Sequence, residues 1–250
     1  GSLLSIFLSK RNYGVKVFER RPDMRHEKIA AGRSINLALS DRGIKALKEA
    51  GIADDIMQIA IPMPGRYIHN ADGSHAFQPY GKEGQAIYSV SRGELNKKLI
   101  DLAEAQNIDF HFNHKCISIN WKQHEIKFEK ENTGSSQSLD PFIRSVQFEK
   151  LFAADGAFSA VRMQHMLHHT KFDYQQSYID CGYKELTIPA AADGVHVIEK
   201  NALHIWPRKD YMLIALPNMD GSFTCTLFFP FEGPLSFEKL DTAEKVNYFF

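Results

Sequence analysis

Four groups of residues have types and spacings suited to chemistry. The sharpest is Ala154-Asp155-Gly156-Ala157-Phe158-Ser159-Ala160-Val161-Arg162. An apolar run ends there in Asp-Gly, and a small residue and a serine lead into Val-Arg. A carboxylate at the carboxyl end of a strand stands where α/β sheets bind cofactors. Gly156 permits a close backbone approach or a sharp turn. The same residues also make an ordinary strand-to-helix turn capped by Asp155. The second group is Ala31-Gly32-Arg33-Ser34-Ile35-Asn36-Leu37-Ala38-Leu39-Ser40. The planar guanidinium of Arg33 suits a phosphate or carboxylate, or is simply a surface group. The third joins Gly65-Arg66 to Pro79-Tyr80-Gly81. An arginine fork and a phenol hydroxyl together can grip an α-carboxylate, although singly each is more often structural. The fourth is Glu19, an acidic residue at the end of an alternating run, Val15-Lys16-Val17-Phe18.

These residues need elements to hold them. Leu3, Leu4, Phe7 and Leu8 have helical spacing, Asn12-Tyr13-Gly14 reads as a turn, and Val15 to Glu19 alternates like a strand. Helix, turn, strand, acidic residue is the second half of a dinucleotide-binding βαβ unit. Glu19 stands 18 residues after Gly1, near the roughly 20 expected of a ribose-binding carboxylate. A surface helix with an edge strand is the plainer alternative. Further helices are expected from Ser40 to Gly51 and from Ser91 to about Gln106, where Ser91 and Glu94 have capping-box spacing. Ile108 to Phe112 reads as a strand, and Ile117 to Trp121 with Ile126 to Glu129 as a hairpin. Asn132 to Ser138 is a polar loop, and Val146 to Ala154 a strand. After about residue 175 the texture becomes β-rich. Tyr183 to Ile188, Leu203 to Trp206, Tyr211 to Leu216 and Phe223 to Phe229 predict an antiparallel sheet. Phe237, Leu240, Ala243, Val246 and Phe249 then predict an amphipathic helix. Both ends fall mid-element, so the expectation is a chain truncated at both ends.

Composition narrows the function classes. The chain of 250 residues has 30 Lys+Arg against 30 Asp+Glu, 44% hydrophobic and 24% charged residues. That excludes a disordered or collagen-like chain and argues against nucleic acid as the main partner. No apolar run approaches the roughly 18–20 residues that span a bilayer. Cys116, Cys181 and Cys225 lie far apart without ligand spacing, which suggests a reducing compartment and no structural zinc. His165-Met166-Leu167-His168-His169 lacks the glutamate of HExxH and reads as a solvated helix end, with no metal expected. His196 and His204 read as packed strand residues. No GxSxG or Cys/His nucleophile arrangement occurs.

Several segments together resemble a known family. They are Phe18-Glu19-Arg20-Arg21-Pro22, Gly32 to Leu39, Gln78-Pro79-Tyr80-Gly81, Ala154-Asp155-Gly156, Leu203-His204-Ile205-Trp206-Pro207, Ile214 to Asn218 and Ser222-Phe223-Thr224. The Asp-Gly motif is similar to that of the class A FAD-dependent aromatic hydroxylases. The Arg-Ser-Ile-Asn-Leu-Ala and His-Ile-Trp-Pro stretches resemble, within that class, the kynurenine 3-monooxygenase family, from Gly1 to about Phe229.

The resemblance implies an α/β fold. An FAD-binding Rossmann-like (GR2-type) domain at 1–175, incomplete and with an inserted substrate-contact segment near 60–90, would precede an incomplete β-rich substrate domain at 176–250. It implies bound FAD, NADPH as co-substrate, and hydroxylation of L-kynurenine to 3-hydroxykynurenine through a flavin hydroperoxide formed from O2, as in tryptophan catabolism. The flavin would carry the chemistry, with no catalytic side chain and no metal. Gly1 would be the last glycine of GxGxxG and Glu19 the ribose carboxylate. Arg33, Ala38 and Arg92 would lie around the flavin nucleotide, and Asp155 and Gly156 would serve FAD and NADPH. Arg66 and Tyr80 would hold the substrate carboxylate, with Leu203, Met212, Ile214, Thr226 and Phe228 lining the pocket. The flavin-binding Gly-Asp motif and two further substrate contacts, an Asn and a Tyr, would follow residue 250. A cytoplasmic location goes with a bacterial form, and a mitochondrial outer membrane with a eukaryotic one. Alternative readings are a hydroxylase of another aromatic acid, or a non-catalytic nucleotide-binding fragment. No oligomeric state is implied.

Overall fold

In Phe223-Thr224-Cys225-Thr226-Leu227-Phe228-Phe229 the odd positions are all apolar, and two of the three even ones are threonine. A strand sends alternate side chains to opposite faces, so such a run makes one greasy face and one mixed face. That asymmetry organises the part of the fold that matters here. The structure, a computed structural model, describes residues 1–26, 35–130, 142–169 and 171–250.

In chain order the elements begin with α1 (Ser2–Ser9), β1 (Lys16–Phe18), β2 (Asn36–Leu39), α2 (Asp41–Ala50), α3 (Ala53–Met57) and β3 (Ile61–Met63). They continue with β4 (Gly65–His69), β5 (His75–Pro79), β6 (Ile87–Ser91), α4 (Arg92–Glu104) and β7 (Asp109–His111). Next are β8 (His114–Asn120), β9 (Glu125–Lys130), β10 (Phe142–Gln147) and α5 (Ala160–His168). Last come β11 (Cys181–Ile188), β12 (Ala202–Pro207), β13 (Met212–Pro217), β14 (Phe223–Pro230) and α6 (Ala243–Phe249). The chain divides into two compact units, Gly1–Lys28 with Leu99–Gln176, and Ile29–Lys98 with Ser177–Phe250.

In the first unit β1 pairs in parallel with β7, Val17 opposite Phe110. α1 buries Ile6 completely. A second sheet runs β10-β9-β8, antiparallel throughout. Its core of Ile119, Ile126 and Phe128 packs against Phe18, Val146, Leu151 and Val161. Phe18 stacks on Phe128 at 4.1 Å and 8°. The expected strand from Val146 to Ala154 is only partly formed. β10 ends at Gln147, and residues 151–155 carry no strand among the described residues. Leu151 contributes to the core as a packed loop residue, so its apolar character reports burial and not a ladder. The expected polar loop at Asn132 to Ser138 lies outside the described residues.

The second unit holds a small antiparallel sheet, β2-β6-β3. α2 follows β2 and is stopped by Gly51 at φ 70, whose N–H closes on Leu47 and Lys48 carbonyls. The main sheet has six strands in the order β11-β14-β13-β12-β4-β5. Its C-terminal strands pair antiparallel as expected, but β12 meets β4 in parallel, Leu203 opposite Arg66. The sheet is therefore mixed, and the β4–β5 hairpin from much earlier in the chain completes it. Gly65 is required where β4 meets β5: a Cβ there would come within 2.5 Å of the Gln78 carbonyl and of the Phe77 ring. The expected C-terminal helix is split. A 3-10 turn spans Phe237–Lys239, and α6 restarts with Thr242 as its N-cap, accepting from the Lys245 N–H.

The two faces of the main sheet differ. Ala202, His204, Ala215, Phe223, Cys225, Leu227 and Phe229 are all buried, none more than 2% exposed. They form the closed face, with Leu186, Ile188, Ile198, Trp206 and Leu213 packed around them. The other face is covered at one end only. Leu216, Thr224 and Thr226 are buried toward the β13–β14 turn, whereas Met212 and Phe228 at the far end are 36% and 39% exposed.

Candidate active site

Register decides which side chains share the open face. Arg66 is the direct partner of Leu203 across β4–β12 and of Gln78 across β4–β5. Ile205, two residues after Leu203, pairs with Ile214. Ile214 pairs with Thr226, and Met212 with Phe228. Paired residues point the same way, and so do residues two apart. Arg66, Leu203, Met212, Ile214, Thr226 and Phe228 therefore line one face of one sheet. Tyr80 follows β5 by one residue, and its N–H donates to the Pro64 carbonyl at 3.0 Å, extending the hairpin pairing. The arginine Nε donates to Gln78 Oε1 at 2.7 Å. Burial pushes the Tyr80 phenol above its ordinary pKa, and the charge of Arg66 opposes that shift. The hydroxyl thus stays protonated as a donor at neutral pH. The result is a mostly apolar wall with a cation and a phenol at one edge, the arrangement that suits an aromatic acid. Tyr80 also lines a cavity of about 330 Å³ with Ser40, Asp41, Arg42, Gln85, Ala86 and Ile87, to which Arg66 does not contribute.

The covered end of this face is closed by an amide. Asn36 Nδ2 donates to Ser89 Oγ at 3.1 Å, to the Pro217 carbonyl at 3.2 Å and to Asn218 Oδ1 at 2.7 Å. Ser89 Oγ also donates to the Pro217 carbonyl, and Asn218 Nδ2 donates to Ser222 and Thr224 hydroxyls. The network ties the β2–β6 sheet to the β13–β14 turn. Among the nucleotide candidates in this unit, Ala38 lies exposed on β2 opposite Ser89, and Arg92 opens α4 just after Ser91. Arg33 lies outside the described residues.

In the first unit Gly1 is the N-cap of α1, which has no side-chain cap and no acidic residue in its first turn. First-turn N–H groups of a helix are donors of the kind that hold an anion. Glu19 follows β1, its N–H donating to the His111 carbonyl at 2.9 Å. Its Oε1 accepts from Arg21 N–H at 2.9 Å and from Arg21 Nε at 3.1 Å. Burial raises the carboxyl pKa, but the Arg21 hydrogen bonds and charge outweigh it and hold the group low. It is ionised at neutral pH with lone pairs left for further donors.

Ser159 is the N-cap of α5, its Oγ accepting from the Arg162 N–H at 2.9 Å, and Asp155 braces that cap. Its Oδ1 accepts from Ser159 Oγ at 2.6 Å and Oδ2 from Val161 N–H at 3.2 Å. Burial raises this carboxyl too, but those bonds keep its pKa low overall. Gly156 takes φ +81 with open space where a Cβ would stand, so the turn itself requires glycine.

Other candidates are structural. His204 is 1% exposed; its Nε2 donates to the Glu199 carbonyl at 2.7 Å and its Nδ1 meets His69 Nε2 at 2.9 Å. The first bond fixes the proton on Nε2, so His69 is the donor in the second. His165, read as a solvated residue, instead stacks on His169 at 4.0 Å and edges against Trp121. Burial raises the Cys116 and Cys225 thiols to about 11, which keeps them protonated and poor nucleophiles. No group of three metal-ligating side chains occurs among the described residues, and no described helix is long and apolar enough to cross a membrane. Gln78 and the Asn36 network carried no role in the sequence reading. Their signals were an i, i+2 spacing from Gln78 to Tyr80 and a lone amide inside an apolar strand.

No protein-family model matches the chain. Individual relatives do. The chain is 50% identical over 250 residues to a kynurenine 3-monooxygenase of Christiangramia forsetii, covering 100% of the chain and 54% of that protein. It is 48% identical to the enzyme of that name from Dictyostelium discoideum, covering 52% of it, and 45% identical to that of Sus scrofa, covering 50%. In fold it is similar to 2-methyl-3-hydroxypyridine-5-carboxylic acid oxygenase, at TM-score 0.69 and 18% identity over 94% of this chain and 57% of the other. PqsL of Pseudomonas aeruginosa, solved with 2-aminobenzoylacetate, matches at TM-score 0.66 and 15% identity over 92% of this chain and 57% of PqsL. The chain spans about half the length of the curated relatives it matches. Over its own whole length, the chain is similar in sequence to proteins named kynurenine 3-monooxygenase.

Proposed function

We propose that the chain serves an FAD- and NADPH-dependent monooxygenase that hydroxylates L-kynurenine at the ring 3-position. The observation that carries the reading is the open sheet face, where Arg66 and Tyr80 stand beside an apolar wall of Leu203, Ile214, Met212 and Phe228. A planar aromatic amino acid fits such a surface, ring against the wall and carboxylate toward the guanidinium and phenol. Identity of 45–50% to proteins named for that reaction supports the same substrate.

The residues of the first unit fit FAD. The uncapped start of α1 suits a pyrophosphate, and the ionised, part-exposed carboxylate of Glu19 suits ribose hydroxyls. When bound, the flavin supplies the redox chemistry that activates O2 at the expense of NADPH. Arg66 and Tyr80 then hold one end of the substrate. The apolar strands orient its ring and keep water from it, and a desolvated setting strengthens the arginine ion pair. Tyr80, held protonated, donates and does not repel the carboxylate. In this reading Asp155 and Gly156 shape the turn before α5 that faces the cofactors, and Ala38 and Arg92 border the flavin nucleotide. A cytoplasmic location belongs to the proposal for a bacterial form, and cell fractionation tests it.

The test is mass-spectrometric product analysis of the intact protein with FAD, NADPH, oxygen and L-kynurenine. A product heavier by one oxygen, hydroxylated at the ring 3-position, is expected. NADPH consumption without that product would overturn the substrate and favour another aromatic acid. No NADPH consumption under any condition would leave a nucleotide-binding role.

A further inference from the structure

Arg66 and Gln78 are direct cross-strand partners on the open face. The guanidinium Nε, the only donor on its inner edge, gives its proton to Gln78 Oε1 at 2.7 Å. An arginine can meet a carboxylate side-on, through Nε and one terminal nitrogen, or end-on, through both terminal nitrogens. With Nε occupied, the end-on approach remains. We propose that Gln78 is a positioning residue that dictates this approach and so makes the site selective for an α-carboxylate. The proposal rests on the kynurenine reading above and deepens it.

The local geometry gives the amide reason to stay. Cross-strand neighbours of a hydrogen-bonded hairpin hold their side chains about 5 Å apart, and β4 and β5 approach closely enough to demand Gly65. The hairpin is closed at its far end by Asn70 and Ser74 and continued past Tyr80 by the bond to Pro64. Arg66 and Tyr80 thus sit on a rigid two-stranded support, with Gln78 between them in sequence and on the same face. A neutral amide is also the right chemistry. It orients the guanidinium without neutralising it, whereas a carboxylate at position 78 would take the place of the substrate's own.

The experiment compares two ligands on FAD-loaded protein: L-kynurenine, and its decarboxylated amine analogue. Binding is followed by flavin absorbance and turnover by product. Gln78→Ala is expected to raise the L-kynurenine dissociation constant and KM about three- to tenfold with kcat within about twofold. It is expected to leave the analogue's affinity within about twofold. Gln78→Glu is expected to weaken L-kynurenine tenfold or more by pairing internally with Arg66. Equal penalties for both ligands in Gln78→Ala would show a general packing role and overturn the inference, as would no penalty at all. Arg66→Ala separates this from failure of the underlying reading. If Arg66→Ala discriminates between the ligands and Gln78→Ala does not, only the inference falls. If neither discriminates, the carboxylate reading falls with it. Once Arg66 is alanine, adding Gln78→Ala should cost nothing further; an additive loss would also overturn the inference.

Discussion

Phe228 and Phe229 are neighbours on β14, yet one is 39% exposed and the other fully buried. The contrast holds at this end of β13 and β14 and fades toward their turn, where Leu216 and Thr224 are buried too. Phe229 packs edge-on against Tyr211 and Phe237, on the face that closes the unit. Phe228 is in register with Met212 on the face that carries Arg66. One face of β13 and β14 thus packs into the fold, while Met212 and Phe228 at the far end of the other stay exposed. The same period-two pattern serves both ends, because stability needs only one buried face.

This contrast can be broken by mutation. Phe229→Ala leaves a large cavity on the closed face and is expected to cost about 3–5 kcal/mol of stability, while Phe228→Ala costs about 0.5 kcal/mol. Chemical denaturation of the two variants measures the difference; equal losses would mean that the faces are not distinct. Asn36→Ala comes next. It strips Ser89, Pro217 and Asn218 of a shared donor at the covered end of the open face, an expected loss of about 1–3 kcal/mol. Replacing Asn218 in the same background should add less than its own single effect, since both act in one network.

A smaller effect sharpens the account of the closed face. Burial lowers the pKa of His204, against the pull of the Glu199 carbonyl. Burial also lowers that of His69, aided by His204, His75 and Arg208. Both are held neutral, so the unfolded chain binds more protons than the folded one once pH falls below about 6.5. Stability from this pair is fully present above that pH and is lost as pH falls. Melting temperatures between pH 7.5 and 5.5 should decline in the wild type and decline less in His69→Gln. The carboxylates with lowered pKa, Glu19 and Asp155 among them, act only in a more acidic window, below about pH 4.5.

Much of the main sheet was legible because β11, β13 and β14 are strongly patterned and bounded by turn signals such as Asn218-Met219-Asp220-Gly221. The parallel pairing of β12 with β4 was not. It joins Leu203 to Arg66 across most of the chain, and no local spacing encodes a partner that far away. Pro62, Pro64 and Gly65 also interrupt the alternation there, although Asp72-Gly73 is a turn signal that Gly73 honours at φ +83. Leu151 to Ala154 misled in the opposite sense, since an apolar run marks burial without marking a ladder. At the site, Arg66 and Tyr80 drew attention as residue types. The set of Leu203, Met212, Ile214, Thr226 and Phe228 came from the family resemblance alone, because the face they share depends on register, which no local spacing encodes. Asp155 shows the limit of a motif: the sequence allowed a cap or a cofactor contact, and its oxygens are engaged by Ser159 and Val161.

In the proposed function the open face seats the substrate and Arg66 holds its carboxylate. The most direct measurement is a titration of L-kynurenine into FAD-loaded wild type and Arg66→Ala, paired with their melting curves. A charge-assisted contact of about 1.5–3 kcal/mol predicts roughly ten- to hundredfold weaker binding by Arg66→Ala, at an unchanged melting temperature without ligand. Equal affinity in the two proteins would contradict the account.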